Sequence, residues 1–125
     1  MSIASDMLRG NTDMIILAHL VRGESYGYEI NKQIREKSDG QFDLKEATLY
    51  GAFRRLEETG YVTYYWGDEI TGARRRYYKI TPAGLLAFKR YTSEWLESVR
   101  LITGLIAQDE KNRAERPEED TKNDR

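Results

Sequence analysis

The sequence predicts a mainly α fold with one small β-hairpin and a long C-terminal helix. Three observations predict it. Apolar residues recur at helical spacing over residues 5–21, 26–38, 46–60 and 82–109. An aromatic and β-branched run at 61–66 is answered, after a loop with two glycines, by a second such run at 74–80. Short turn-forming stretches separate the elements, so the helices and the hairpin follow one another closely.

The first stretch holds Met7, Leu8, Met14, Ile15, Ile16, Leu17, Ala18, Leu20 and Val21. Its second half is apolar nearly all round, which predicts one helix over 5–21 buried on several sides, with Ile15 available to a second subunit. Gly23 caps its end. His19, the single histidine, lies in this run without a second His or any Cys, and reads as a packed helical histidine rather than a ligand.

In 26–38, Ile30 and Ile34 share a side with Tyr26, while Asn31, Lys32 and Arg35 point elsewhere and can meet phosphates or simply be solvated. Asp39-Gly40-Gln41 is a turn. Asp43 followed by Glu46 has the spacing of a capping box, which starts the next helix near Asp43. That helix, 46–60, turns Leu49, Ala52, Phe53 and Leu56 to one stripe and Ala47, Tyr50, Gly51 and Arg54 roughly opposite, with Thr48 and Arg55 flanking. Its outer face is small at first and then carries a phenol and guanidinium groups. A helix meant only for solvent carries Lys and Glu there instead. Arg54 suits a guanine edge or a phosphate, against an alternative pairing with Glu58. Arg55 has the same choice with Glu57 or Glu58, and Tyr50 either reaches a partner or packs under the hairpin.

In the hairpin, Arg76, Tyr78 and Ile80 share one face and Arg75, Tyr77 and Lys79 the other. Three consecutive arginines beside the loop favour phosphate or minor-groove contact for Arg74 and Arg75. Arg76 and Lys79 read as solvated or packed along their stems, and Trp66 as packed beneath the hairpin. Thr81 as N-cap and Pro82 at the first position open the last helix. Along it Phe88, Thr92, Trp95, Val99, Ile102 and Ile106 form a heptad-like seam. Such a helix, about 27 residues and roughly 40 Å, exceeds what one small domain needs, so its surplus apolar face predicts a second subunit. On these residues alone Trp95 is dimer core.

Helices followed by an arginine-tipped hairpin, in this order, make a winged helix-turn-helix over 1–81, a dimerisation helix over 82–109 and a disordered charged tail over 110–125. At 125 residues, 33% charged and 39% apolar, the chain suits one such domain with an extension. No run approaches the ~20 apolar residues of a membrane span. The first six residues lack a signal-peptide pattern, and the absence of cysteine excludes disulfides and Cys-ligated metals, so a cytoplasmic location without metal or cofactor is expected. Net charge is −1; residues 109–125 hold seven acids and five bases, which leaves 14 acids and 15 bases, or +1, in 1–108. Binding to nucleic acid must therefore rest on local patches. One isolated histidine, no phosphate-binding glycine loop and no Ser/His/Asp constellation argue against an enzyme.

Several segments together resemble the PadR family of bacterial transcriptional regulators, especially its short members with a single C-terminal helix. They are Tyr26-Gly27-Tyr28-Glu29-Ile30, Ala47-Thr48-Leu49-Tyr50 with Arg54-Arg55-Leu56-Glu57, Gly60-Tyr61-Val62, the run from Gly72 through Arg74-Arg75-Arg76-Tyr77-Tyr78-Lys79-Ile80 to Thr81, and Gly84. The resemblance covers residues 7 to about 106. It implies a homodimer that represses transcription at an inverted-repeat operator in double-stranded DNA. Thr48, Tyr50 and Arg54 would lie on the recognition helix and Arg74 and Arg75 on the wing, with Arg55, Asn31 and Lys32 as further contacts. It also implies dimerisation through the first and last helices, here Ile15, Trp95, Val99, Ile102 and Ile106. Some short members bind flat aromatic drugs at that interface through a tryptophan on the last helix. Trp95 matches it, with Phe88 and Val99 as companions, and a planar aromatic or cationic small molecule is the implied ligand. The competing reading is a winged-helix protein-interaction module whose arginines meet an acidic partner.

Overall fold

The computed structural model describes residues 3–67 and 74–115, with side chains from 6 to 107. Its elements are α1 (Ile3–Gly10), α2 (Thr12–Val21), α3 (Gly27–Lys37), α4 (Glu46–Thr59), β1 (Val62–Trp66), β2 (Arg76–Ile80) and α5 (Pro82–Glu115). The chain divides into two units, residues 1–90 and 91–125. The hairpin loop at 68–73 and the tail beyond Glu115, expected to be disordered, lie outside the described residues.

The stretch expected as one helix over 5–21 is two. Asn11 interrupts it at φ −116°, ψ 24°. Its side chain donates to Met7 O at 2.8 Å, and the Thr12 hydroxyl donates to Arg9 O at 2.7 Å. Gly10, Asn11 and Thr12 are weak helix formers whose polar side chains compete for backbone groups, and here they end one helix and begin another. α2 then buries Ile16, Leu17 and Leu20 completely or nearly so. His19 is buried too: Nδ1–H donates to Ile15 O at 2.8 Å, and Nε2 accepts from Lys37 Nζ at 3.2 Å. Burial pushes its pKa below the ordinary histidine value, against the raising effect of the Ile15 bond.

The expected capping box does not form. α4 starts at Glu46, three residues beyond Asp43, with Lys45 as N-cap in an extended conformation and no side-chain cap. Asn31 of α3 holds the approach instead, its Nδ2 donating to Leu44 O at 2.7 Å and its Oδ1 accepting from Leu44 N–H at 2.8 Å. This two-way clamp fixes the α3–α4 connection, which also buries Phe42 and Leu44.

On α4 the predicted stripe is the buried one: Leu49, Ala52, Phe53 and Leu56 are each at most 2% exposed. Phe53 stacks face to face on Tyr78 of β2, with centroids 3.8 Å apart and planes 6° apart. Gly60 ends the helix in the left-handed region, φ 85°, as glycine can. β1 and β2 pair antiparallel from Val62↔Ile80 to Trp66↔Arg76. An isolated bridge adds Ser25, whose N–H donates to Tyr78 O while Tyr78 N–H donates to Ser25 O at 2.7 Å. The hairpin is thereby tied to the turn before α3.

Thr81 joins the end of α4 to α5. Its hydroxyl donates to Gly60 O at 2.7 Å and accepts from Gly84 N–H at 3.0 Å, the expected cap. α5 continues as helix to Glu115, past the expected end at 109. No described helix is long and apolar enough to cross a membrane.

Candidate nucleic-acid interface

The outer face of α4 presents Tyr50, 45% exposed, with Arg54 and Arg55 exposed and Thr48 half-buried. Arg54 makes no ion pair with Glu58 among the described residues, so the alternative considered for it is not the one adopted. Its guanidinium stands in solvent on the turn after Tyr50. Arg55 pairs with neither Glu57 nor Glu58. Its Nη2 donates to Asp13 Oδ1 of α2 at 2.6 Å, which ties α4 to α2 and raises the Arg55 pKa further. Thr48 lines a shallow hollow with Arg9 and Gln41–Lys45.

On α3, Lys32 is exposed. Asn31 differs: both ends of its amide are engaged by Leu44, so its polar atoms position α4's approach rather than face outward. Asn31→Ala is expected to leave the Leu44 N–H and C=O without partners and to cost about 1–3 kcal/mol, read by urea unfolding. A loss below about 0.5 kcal/mol contradicts the clamp.

The wing arginines are held by aromatic rings. Arg74 Cζ lies 5.3 Å from the Trp66 centroid, Arg75 4.6 Å from Tyr26, and Arg76 4.2 Å from Tyr64 and 5.2 Å from Trp66. Trp66 is therefore not packed beneath the hairpin, as expected, but stands 47% exposed between Arg74 and Arg76. By alternation Trp66 shares a face with Val62, but only Val62 of β1 is buried and the strand is exposed from Thr63 onward. Arg76 also faces Glu57 at 3.6 Å and donates to the Tyr78 hydroxyl at 3.4 Å. Lys79 lies 4.0 Å from Glu24, which also accepts from the Tyr65 hydroxyl. Burial raises the Tyr78 pKa.

Between the start of α3, the start of α4 and the wing lies an open cleft of about 480 Å³. Tyr26, Tyr28, Tyr50, Trp66 and Arg74–Arg76 line it, with Gly27 and Tyr78 at its base. Sequence reading missed Tyr26, Tyr28 and Trp66 as a group, although the density of aromatics around the arginines was the available signal. Gly27 allows a close approach: a Cβ there would stand 3.0 Å from the Tyr50 hydroxyl and 3.2 Å from a Leu49 methyl, so these side chains would have to give by a few tenths of an ångström.

In the second unit, Trp95 is half-buried, while Val99 is 40%, Ile102 55% and Ile106 55% exposed. Leu96, Leu101 and Leu105 are at least half exposed as well. Phe88, in the first unit, and Ile15 of α2 are half-buried.

Comparisons with known proteins agree on one family. The model described as "Transcriptional regulator PadR-like family" matches residues 16–90. A transcriptional regulator from Clostridium thermocellum is 48% identical, with a TM-score of 0.75, covering 82% of this chain and 97% of that one. A PadR family transcription regulator from Clostridium difficile is 35% identical, with a TM-score of 0.63, covering 78% and 96%. Bacillus subtilis PadR, solved in complex with operator DNA, is 22% identical with a TM-score of 0.59, covering 65% of this chain and 46% of that one, and is a likeness of fold.

Proposed function

Because this chain belongs to the PadR-like family of transcriptional regulators, we propose that it acts as a homodimeric repressor binding an inverted-repeat operator in double-stranded DNA. The observation that carries this reading is the outer face of α4, where Tyr50 and Arg54, which has no ion-pair partner among the described residues, stand exposed on the helix that a ring-stacked, arginine-rich wing adjoins. In a winged helix the recognition helix reads the major groove while the wing touches the flanking backbone. The complex of Bacillus subtilis PadR with operator DNA supports the same partner for this fold. Thr48, Tyr50 and Arg54 are the proposed readers, Arg74, Arg75 and Lys32 the backbone contacts. Arg55 orients α4 through Asp13 and Asn31 orients its approach.

The exposed apolar residues of α5, Val99, Ile102 and Ile106 with half-buried Trp95, support a second copy as their cover, joined by Ile15. A dimer places its two recognition helices about one DNA turn, ~34 Å, apart. Arg54→Ala is expected to weaken operator binding about 5- to 100-fold and to relax sequence preference. Arg74→Ala weakens binding to all duplexes alike and lowers the salt slope by about 1. Fluorescence anisotropy across a salt series reads both, and unchanged affinity in both variants contradicts the reading.

The effector proposed for this repressor is a planar aromatic, often cationic, molecule stacked on Trp95, with Phe88 and Val99 beside it. In a Trp66→Phe background, where Trp95 is the single indole, such a cation is expected to quench fluorescence and release DNA. An affinity for the cation that Trp95→Ala leaves unchanged removes the stacking role.

A further inference from the structure

We propose that the bond between His19 of α2 and Lys37 of α3 is an acid-opened latch on the connection that leads into α4. The latch itself stands apart from the DNA-binding reading; only its effect on operator affinity rests on that reading.

Hydrogen-bond direction fixes the state of the ring. His19 is 9% exposed, and Ile15 O, 2.8 Å from Nδ1, can only accept. Nδ1 therefore carries the hydrogen, and Nε2 turns its lone pair to Lys37 Nζ, 3.2 Å away. An ammonium can only donate, so the contact is a bond while the ring is neutral. A proton added to the ring must go to Nε2. It turns the acceptor into a second donor and sets two cations 3.2 Å apart, which the bond cannot survive. Lys37, the exposed last residue of α3 on a flexible stem, is the group that moves away.

The surroundings set the direction of the switch. Burial disfavours the charged ring first, the charges of Lys37 and Arg22 add to it, and together they outweigh the Ile15 bond, so the pKa lies below the ordinary histidine value. Arg22 belongs to α2 and Lys37 to α3. On α4 and β2, which also pack against α2, the ion pairs among the described residues are Arg55–Asp13, Arg76–Glu57 and Lys79–Glu24. With a lowered folded pKa the tie contributes fully above the ordinary histidine value and is lost as pH falls through the lowered one.

What the latch holds is the end of α3 and the residues after it. Ser38 follows Lys37, and its hydroxyl accepts from Phe42 N–H at 3.0 Å. Arg35 faces Asp43 at 3.8 Å, and Asn31 clamps Leu44 from both sides. Three anchors of the connection thus stand on the half of α3 that Lys37 ties to α2. Ile30 and Ile34 stay buried in either state, so acid loosens the end of α3 and the connection without unfolding the unit.

The test follows the full chain by NMR from about pH 8 to about pH 5, the range in which histidine alone ordinarily changes charge. The sequence holds one histidine, so the imidazole C–H signals report His19 alone. Amide exchange at Phe42 and Leu44, corrected for the intrinsic effect of pH, reports the connection. His19 is expected to titrate below the ordinary value, and protection of both amides to fall about tenfold through the same midpoint. His19→Gln keeps an acceptor for Lys37 that does not titrate, and should keep the protection throughout. Lys37→Met should raise the His19 midpoint and show, already at about pH 8, the exchange that the wild type reaches in acid. The latch is overturned by a His19 midpoint at or above the ordinary value, by exchange that ignores that midpoint, or by acid loosening that persists in His19→Gln. If His19→Gln does not fold, wild-type exchange in Lys37→Met overturns it instead. In a second arm, affinity for a duplex selected from a random-sequence pool should fall by about tenfold per pH unit below the midpoint, and not in His19→Gln. Added positive charge alone would tighten binding, so tightening in acid contradicts the operator effect. If exchange behaves as expected and the wild type selects no duplex, the latch stands and the DNA reading falls.

Discussion

Phe53→Ala is expected to destabilise the first unit by about 3–5 kcal/mol and to abolish DNA binding at temperatures where the wild type binds. Phe53 is 1% exposed, and its ring lies 3.8 Å from that of Tyr78, which is also 1% exposed. Truncation removes the buried ring and leaves a cavity against β2 that Tyr78 cannot fill without giving up its own place in the sheet, where it bridges Ser25 in both directions. In a unit of this size each kcal/mol moves Tm by about 4–8 °C, so the melting temperature should fall by well over 10 °C. Because the same stack sets α4 against the wing, the loss should be larger for operator affinity than for helicity near the transition. Calorimetry and circular dichroism read the first, anisotropy the second. A destabilisation below about 1 kcal/mol contradicts the central position given to this stack.

Gly84→Ala is the second large effect, and its sign runs against helix propensity. In a helix interior alanine is better than glycine by about 1 kcal/mol. At Gly84, however, an added Cβ would stand 2.1 Å from Tyr61 O and 2.8 Å from an Ile80 side-chain carbon. Tyr61 O already accepts from Thr81 N–H, and Thr81 in turn caps Gly84, so the clash falls on backbone that no rotamer change relieves. Overpacking of this kind costs about 1–3 kcal/mol and more where backbone must shift, so net destabilisation of about 2–3 kcal/mol is expected. Gly51→Ala on α4 provides the contrast. A Cβ there meets nothing within 4 Å, and the substitution should stabilise by up to about 1 kcal/mol. If Gly84→Ala is as mild as Gly51→Ala, the docking of α5 on the end of α4 is wrong.

The parts of the molecule legible in the sequence were those governed by periodicity and by local backbone chemistry. The stripe Leu49, Ala52, Phe53 and Leu56 is the buried face of α4, Gly60 is its left-handed stop, and Thr81-Pro82 opens α5. Alternation gave the hairpin within a residue or two at each end. What was not legible depends on partners far apart in sequence. The Asn31 clamp on Leu44 spans 13 residues and the Arg55–Asp13 pair spans 42, and neither leaves a periodic trace. Both side chains looked available from their position on a helix face, yet each is committed to another element. Trp66 failed for a related reason. An indole beside three arginines can be core or can be a platform for cations, and only the placement of Arg74 and Arg76 on either side decides it. The break at Asn11 was in principle readable, since glycine, asparagine and threonine in succession disfavour a helix, but the apolar run beyond outweighed it.

The measurement that tests the central claim most directly is competition for the full-length protein between a selected inverted-repeat duplex and an equally charged, non-nucleic polyanion, across a salt series. The account predicts a preference of at least about 10³ for the duplex near physiological salt. It also predicts a log–log salt slope of several units from the phosphates contacted by two subunits, reduced in Arg74→Ala. Equal affinity for duplex and polyanion at every salt concentration would contradict it and make the arginine-rich wing a docking surface for an acidic partner.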